Sequence, residues 1–154
     1  MVYIPAVVAV REGRPEDLDW IIVQLRALSK FFGTRTPLFK DEEFARQSML
    51  AIMERHFCRV AEADGQRVGL IAGLVTPHVL NPDVKVLCET FWWVVEGPHA
   101  ARAGMMLMNE FVAWGREHVH WITFSLQEHK PVGAGVLERS GFHLHERTYL
   151  MEVA

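Results

Sequence analysis

CETFWWVVEGPHAARAGMMLMNEFVAW, residues 88–114, decides how the rest of the chain is read. A β-type run, Thr90-Phe91-Trp92-Trp93-Val94-Val95, breaks at Glu96-Gly97-Pro98. Small and basic residues follow from His99 to Gly104. An apolar helix then begins with Met105, Met106, Leu107, Met108, Phe111, Val112 and Trp114. Strand, tight loop and helix N-terminus meet here, so unpaired backbone N–H groups and the positive end of a helix dipole converge on one point. That arrangement suits an anion such as a phosphate. Ala100, Ala101, Ala103 and Gly104 allow close approach to the backbone, and Arg102 adds positive charge. Many strand–loop–helix corners bind nothing, and the junction by itself leaves both readings open. The loop lacks the Gly-Lys-Ser/Thr ending of a Walker A and is not Gly-x-Gly-x-x-Gly.

Outward from this stretch, the composition is that of one packed domain, residues 1–154. Hydrophobic residues make up 50% of the chain and charged residues 23%. A chain of this length buries roughly two-thirds of its unfolded surface, so no metal or disulfide is needed for stability. The net charge of −3 gives no case for nucleic-acid binding. Cys58 and Cys88 fall in strand-like runs and read as buried thiols. Residues 1–10 are apolar without a basic start, which does not read as a signal peptide. No apolar run reaches membrane-spanning length. The expected location is the cytoplasm.

In chain order, residues 7–11 read as a first strand. Pro15, Glu16 and Asp17 then open a helix that runs to about Phe32, with Leu18, Ile21, Ile22, Leu25, Leu28 and Phe32 on one face. Residues 33–37 end it, and a second helix spans about 41–55. Strands at 57–62 and 67–75 flank Asp64-Gly65-Gln66, a strong hairpin signal. Gly69 and Gly73 inside the second strand point to a bulge or a close approach. Residues 78–83 read as a loop and 84–95 as the central strand. A helix over 101–117, a strand over 121–126 and a short helix over 132–139 follow. Residues 142–154 give one last strand, open to a break near His145. No internal repeat or low-complexity linker interrupts the order β-α-α-β-β-β-α-β-α-β.

Two segments carry a resemblance. His99-Ala100-Ala101-Arg102-Ala103-Gly104 aligns with Arg/Gln-x-x-Gly-x-Gly/Ala, the acyl-CoA loop of the GCN5-related N-acetyltransferases (GNAT). Gly104 matches, His99 stands for Arg or Gln, and Arg102 stands for Gly. Val136-Leu137-Glu138-Arg139-Ser140-Gly141-Phe142 resembles that family's Leu-Tyr-Glu-Lys-x-Gly-Phe, in the correct order with one strand between. The resemblance covers nearly the whole chain in element order. It implies an α/β (α+β) fold with a mixed central sheet of six to seven strands and about four helices. It also implies that the strands before and after the loop's helix splay apart to admit acetyl-CoA as the acyl donor.

The same resemblance implies a set of site residues. Donor contacts are expected from Trp93, Val94 and Val95 at the strand end and from His99, Ala100, Ala101, Arg102, Ala103, Gly104 and Met105. Lys130 and Gly133, at the start of the last helix, complete that set. Acyl transfer to an amine needs a group to take the amine's proton and a donor to the thioester oxygen. Glu89, between Cys88 and the aromatic run, is the candidate base, with a raised pKa expected from such surroundings; a one-residue slip would turn it to the other face. Leu137 stands where the family's usual acid, a Tyr, is found. Tyr149 in the last strand is the candidate acid, and Ser125 offers a hydroxyl. Phe32, Trp92 and Ser125 are candidate acceptor contacts. Phe32, the tryptophans and Tyr149 read first as core or sheet packing and only second as site residues, and Glu96 reads as a turn residue.

Eight histidines invite a metal reading. His143-x-His145 and His118-x-His120 lack a third ligand at recognisable spacing, so no metal is expected, and His118 reads more simply as a helix-dipole partner. The function expected is N-acetylation of a primary amine on a small molecule or protein. The acceptor, whether polyamine, amino acid, antibiotic or protein, stays open. The rival is a non-catalytic acyl-CoA-binding module, favoured by Leu137 and the altered loop and opposed by Glu89. A homodimer is expected from the apolar content and the last strands.

Overall fold

The computed structural model of the chain describes residues 6–127 and 133–153. Strand β1 is Val8–Glu12. Helices α1, Leu18–Ser29, and α2, Glu42–Arg55, follow it. Then come β2 (Phe57–Ala63), β3 (Gln66–His78), β4 (Asn81–Val94), α3 (Ala100–His118), β5 (Trp121–Thr123) and α4 (Ala134–Arg139). Among the described residues the strands form one sheet in the order β1-β2-β3-β4-β5. The first three pairings are antiparallel and β4–β5 is parallel. No described helix is long and apolar enough to cross a membrane.

Each face of the sheet is covered by helices. One core joins Phe57, Ile71 and Leu87 of the sheet to Leu107 and Phe111 of α3. The other joins Val60 and Leu70 to Ile21, Leu25, Met49 and Ile52 of α1 and α2. The expected hairpin at Asp64-Gly65 is present, with φ of 50° and 80°, the positive values that a two-residue hairpin of this twist requires. Gly69 and Gly73 mark a close approach by the protein's own core. A Cβ on Gly69 would lie 3.0 Å from Leu107 Cδ1, and one on Gly73 would lie 2.7 Å from Phe111 Cε2. The two glycines, four apart on β3, let two residues four apart on α3 settle onto the strand.

Asp17 anchors the start of α1. It is 1% exposed, yet its carboxylate accepts from Arg11 Nη1 and Nη2 (both 2.8 Å), Arg67 Nε (2.6 Å) and the Arg14 amide (2.8 Å). Burial alone would raise its pKa. The hydrogen bonds from Arg11, Arg67 and Arg14 outweigh burial and hold it well below the usual carboxylate range. The network ties β1 and β3 to the helix.

Three expectations need correction. The sheet has five strands among the described residues, not six to seven. Residues 142–153 carry no strand pairing: β5 is only Trp121–Thr123, too short an edge to template a further long strand. The segment is held instead near its end, where Glu152 accepts from the Arg35 and Thr36 amides at 3.0 and 2.7 Å. Finally, the expected loop at 78–83 is a tight hairpin in which His78 pairs with Asn81. Residues 76–85 there are exposed or half-buried, so burial leaves no mark on their sequence.

Candidate active site

β4 is the element on which the site is built. It pairs with β5 only through Val86–Trp121, Leu87–Ile122 and Cys88–Thr123. From Glu89 onward β4 continues to Val94 while β5 has ended, so the edge of β4 is free of its parallel neighbour. Phe124, just past β5, packs edge-on against Trp92 with ring centroids 5.1 Å apart. That contact is an aromatic wedge where the two strands part.

A bulge sits at the same place. Gly73 pairs with Glu89 and Ala72 with Phe91, so Thr90 is an extra residue in β4. Before the bulge, Glu89 shares the face of Gly73, the face that α3 covers. After it the phase has shifted. Trp92 and Val94 lie on the α3 side, and Phe91 and Trp93 on the α1/α2 side. Trp92, expected at the acceptor, instead donates from Nε1 to the Gly104 carbonyl at 3.2 Å under α3. Trp93, expected at the donor, faces the helices, where Nε1 donates to Gln24 Oε1 at 3.0 Å and the ring lies 5.1 Å from Phe31.

The β4–α3 junction follows at once. Val95 is anchored by its amide to the Val68 carbonyl at 2.8 Å. Gly97, at φ 154°, turns the chain. The His99 ring folds back, its Nε2–H donating to the Val95 carbonyl at 3.2 Å. The Ala103 amide closes the first helical turn on His99 O at 2.9 Å, and the Ala100 amide bonds Gly97 O at 3.1 Å. Helix geometry leaves the amides of Ala101 and Arg102 pointing out of the helix end. Both residues are exposed, as is Met105. Ala103 and Gly104 are buried. Gly104 faces the sheet, where a Cβ would stand 3.7 Å from Trp92 and Val94. That distance is ordinary van der Waals contact, so the packing of α3 on β4 would accept a methyl there.

On the opposite face, a cavity of about 370 Å³ opens between α1, α2 and the 33–41 connection. Phe32 lines it, with Leu25, Leu38, Phe39 and Phe44. Its floor is Phe91, on the free stretch of β4. Phe32, expected as an acceptor contact, stands on its wall beside the connection that covers it. The apolar pair Leu38-Phe39 inside an otherwise polar loop is the sequence signal for that cover.

Other candidates are less closely gathered. Tyr149 is 87% exposed in the unpaired segment rather than on a strand. Ser125 is exposed beyond β5, Gly133 is the N-cap of α4, and Lys130 lies outside the described residues. Leu137 is half-buried on α4. The histidine pairs are dispersed. His118 Nδ1–H donates to Trp114 O at 2.7 Å, His120 Nδ1 accepts from the Lys85 amide at 3.1 Å, and the His143 and His145 rings stand 6.4 Å apart. No group of three or more potential metal ligands occurs among the described residues.

No protein-family model matches the sequence, and no curated protein matches it. Solved structures do. A GCN5-related N-acetyltransferase from Ralstonia eutropha superposes with a TM-score of 0.73 at 19% identity, over 95% of this chain and 99% of that one. An aminoglycoside N-acetyltransferase in complex with CoA gives 0.72 at 14% identity, over 99% of both chains. A predicted acetyltransferase from Clostridium acetobutylicum with acetyl-CoA gives 0.73 at 12% identity, over 95% and 96%. Likeness of this extent at such low identity is likeness of architecture, and the architecture of this chain is the GCN5-related N-acetyltransferase fold.

Proposed function

We propose that the chain transfers an acetyl group from acetyl-CoA directly to a primary amine. The observation that carries this reading is the parting of β4 from β5 after Cys88, with the N-terminus of α3 at the far end of the freed edge. A pantetheine arm is an extended, amide-bearing chain and can pair with that edge as a strand would. The Ala101 and Arg102 amides and the Arg102 guanidinium then meet the pyrophosphate. The bulge at Thr90 frees backbone N–H capacity where the thioester oxygen would lie.

In the reaction the neutral amine attacks the thioester carbon. The C–S bond breaks, the pair leaves with the CoA sulfur, and the amine proton goes to a base. Glu89 is that base. It is the first residue of β4 beyond the β5 pairing, on the α3 side, and it receives the proton through a water at the open edge. Protonation of the departing thiolate is assigned to water, since Leu137 offers no proton and Tyr149 sits on the exposed last segment.

A second reading, a non-catalytic acyl-CoA-binding module, is favoured by Leu137 and by the inward fold of His99. The two are separated by measuring thiol release from acetyl-CoA across a panel of amines. Amine-dependent release supports the enzyme. Acetyl-CoA binding without release under any amine supports the module. The reading extends to a cytoplasmic homodimer, for which the exposed Leu144, Leu150 and Met151 supply apolar surface. Sedimentation at 17.6 kDa across a wide concentration range would reject the dimer.

A further inference from the structure

We infer that the acceptor is a small hydrophobic monoamine whose aryl or branched alkyl group fills the cavity between α1 and α2. This rests on the acetyl-transfer reading and names its second substrate. The cavity, about 370 Å³, lies at the small end of the ~300–1,000 Å³ range of small-molecule sites. Its walls are mainly aliphatic and aromatic, and Phe91 links it to the freed edge of β4. An occupant with its apolar group in the cavity can therefore present an amine at the edge, one residue from the bulge.

Three of the four polar residues lining the cavity already bond within the protein. Ser29 Oγ donates to Arg26 O at 2.7 Å, Ser48 Oγ donates to Phe44 O at 2.8 Å, and Asp41 Oδ1 accepts from the Phe44 amide at 3.1 Å. A polyhydroxylated or multiply charged acceptor would lose its hydration there and find few partners. Lys40 and Asp41 stand side by side in the lining and offset each other in charge, so the cavity holds no excess of negative charge for a polycation. An apolar substituent meets no such cost.

The cavity is also held in shape. Glu152 fastens the Arg35 and Thr36 amides, and the Arg26 guanidinium lies 4.9 Å over the Phe39 ring. Two points within the covering connection are thereby fixed, which favours a preformed site.

The test measures CoA thiol release by the full chain with ethylamine, butylamine, phenethylamine, spermidine, an aminoglycoside and a short peptide with a free N-terminus. From ethylamine to butylamine, kcat/KM is expected to rise roughly four-fold per methylene buried, with phenethylamine best. Leu38→Trp fills the cavity from a position that is 54% exposed. It should raise KM for phenethylamine about ten-fold or more and leave acetyl-CoA affinity unchanged by calorimetry. Phe44→Ala, at another exposed wall position, should raise KM less. Faster turnover of spermidine or the aminoglycoside, or acceptance of a peptide N-terminus alone, overturns the inference and leaves acetyl transfer standing. Titrating phenethylamine without acetyl-CoA examines the cavity separately. Binding that Leu38→Trp abolishes supports the site, whereas no binding to the unaltered chain overturns it. Absence of acetyl-CoA binding would instead sink the underlying reading.

Discussion

Glu89 and Phe91 lie on opposite faces of β4, because Thr90 between them is an extra residue facing the Ala72–Gly73 step of β3. Two positions apart on a regular strand would put both side chains on one face. The bulge instead sends the carboxylate toward α3 and the ring toward α1 and α2, on either side of the edge that β5 leaves free.

Removing the carboxylate function should slow chemistry and spare donor binding. Glu89→Gln keeps size and hydrogen-bonding capacity but cannot take a proton. A fall in kcat of about 10²–10⁴-fold is expected, with acetyl-CoA affinity within error of the unaltered protein and the acidic limb of the pH–rate profile lost. Full turnover in this variant would move the base role elsewhere. Loss of donor affinity would mark Glu89 as a support for the strand.

Two glycines should respond in opposite directions. In Gly73→Ala the new methyl would meet Phe111 Cε2 at 2.7 Å and the Cys88 carbonyl oxygen at 2.8 Å, so ring or strand must shift. A loss of ~1–3 kcal/mol is expected. In Gly104→Ala the nearest atoms stand at 3.7 Å, ordinary contact, and alanine favours the helix. The expected change runs from neutral to ~1 kcal/mol more stable. Chemical denaturation of both variants checks the ordering, and equal losses would refute the packing of α3 described above.

The Glu89–Phe91 relationship also marks the limit of what the sequence conveys. Asp64-Gly65 between two apolar runs announces its hairpin, because only positive φ fits that turn. The period of Leu107, Phe111 and Trp114 announces α3, and Gly-Pro before it announces the junction. A bulge leaves no such trace. Thr90 looks like any strand residue, yet it decides which of Trp92 and Trp93 faces α1 and α2. The alternation of residues 142–153 reads as a strand, but pairing needs a neighbour, and Trp121–Thr123 is too short to supply one. The cavity arises from packing α1 and α2 with the 33–41 connection, of which the sequence marks only the apolar pair Leu38-Phe39.

Asp17 should make stability depend on acid pH. Its folded pKa is depressed by Arg11, Arg67 and the Arg14 amide, against the opposing effect of burial. The unfolded chain therefore binds its proton first as pH falls. The stabilisation is fully present above the ordinary carboxylate pKa of about 4 and is lost progressively below it, toward the depressed folded value. Asp17→Asn leaves two guanidinium groups without their buried carboxylate and should cost ~3–5 kcal/mol. It should also flatten the loss of stability below about pH 4. Denaturation midpoints between neutral pH and pH 3 measure both, and an unchanged acid slope would contradict the assignment.

Cys58 should resist alkylation in the native protein. Burial, with Asp17 adding to it, pushes its thiol up to about 12, so little thiolate exists at pH 8. Iodoacetamide followed by peptide mass analysis should find Cys58 unmodified in buffer and modified in denaturant. Rapid native labelling would mean that β2 opens where the core places it closed.

The central claim is that acetyl-CoA lies along the freed edge of β4 with its phosphates at the start of α3. Backbone amide chemical shifts followed during an acetyl-CoA titration test it most directly. The largest changes are predicted in residues 89–95 and at Ala101 and Arg102, saturating together. Changes concentrated elsewhere, or none at millimolar acetyl-CoA, would contradict the account.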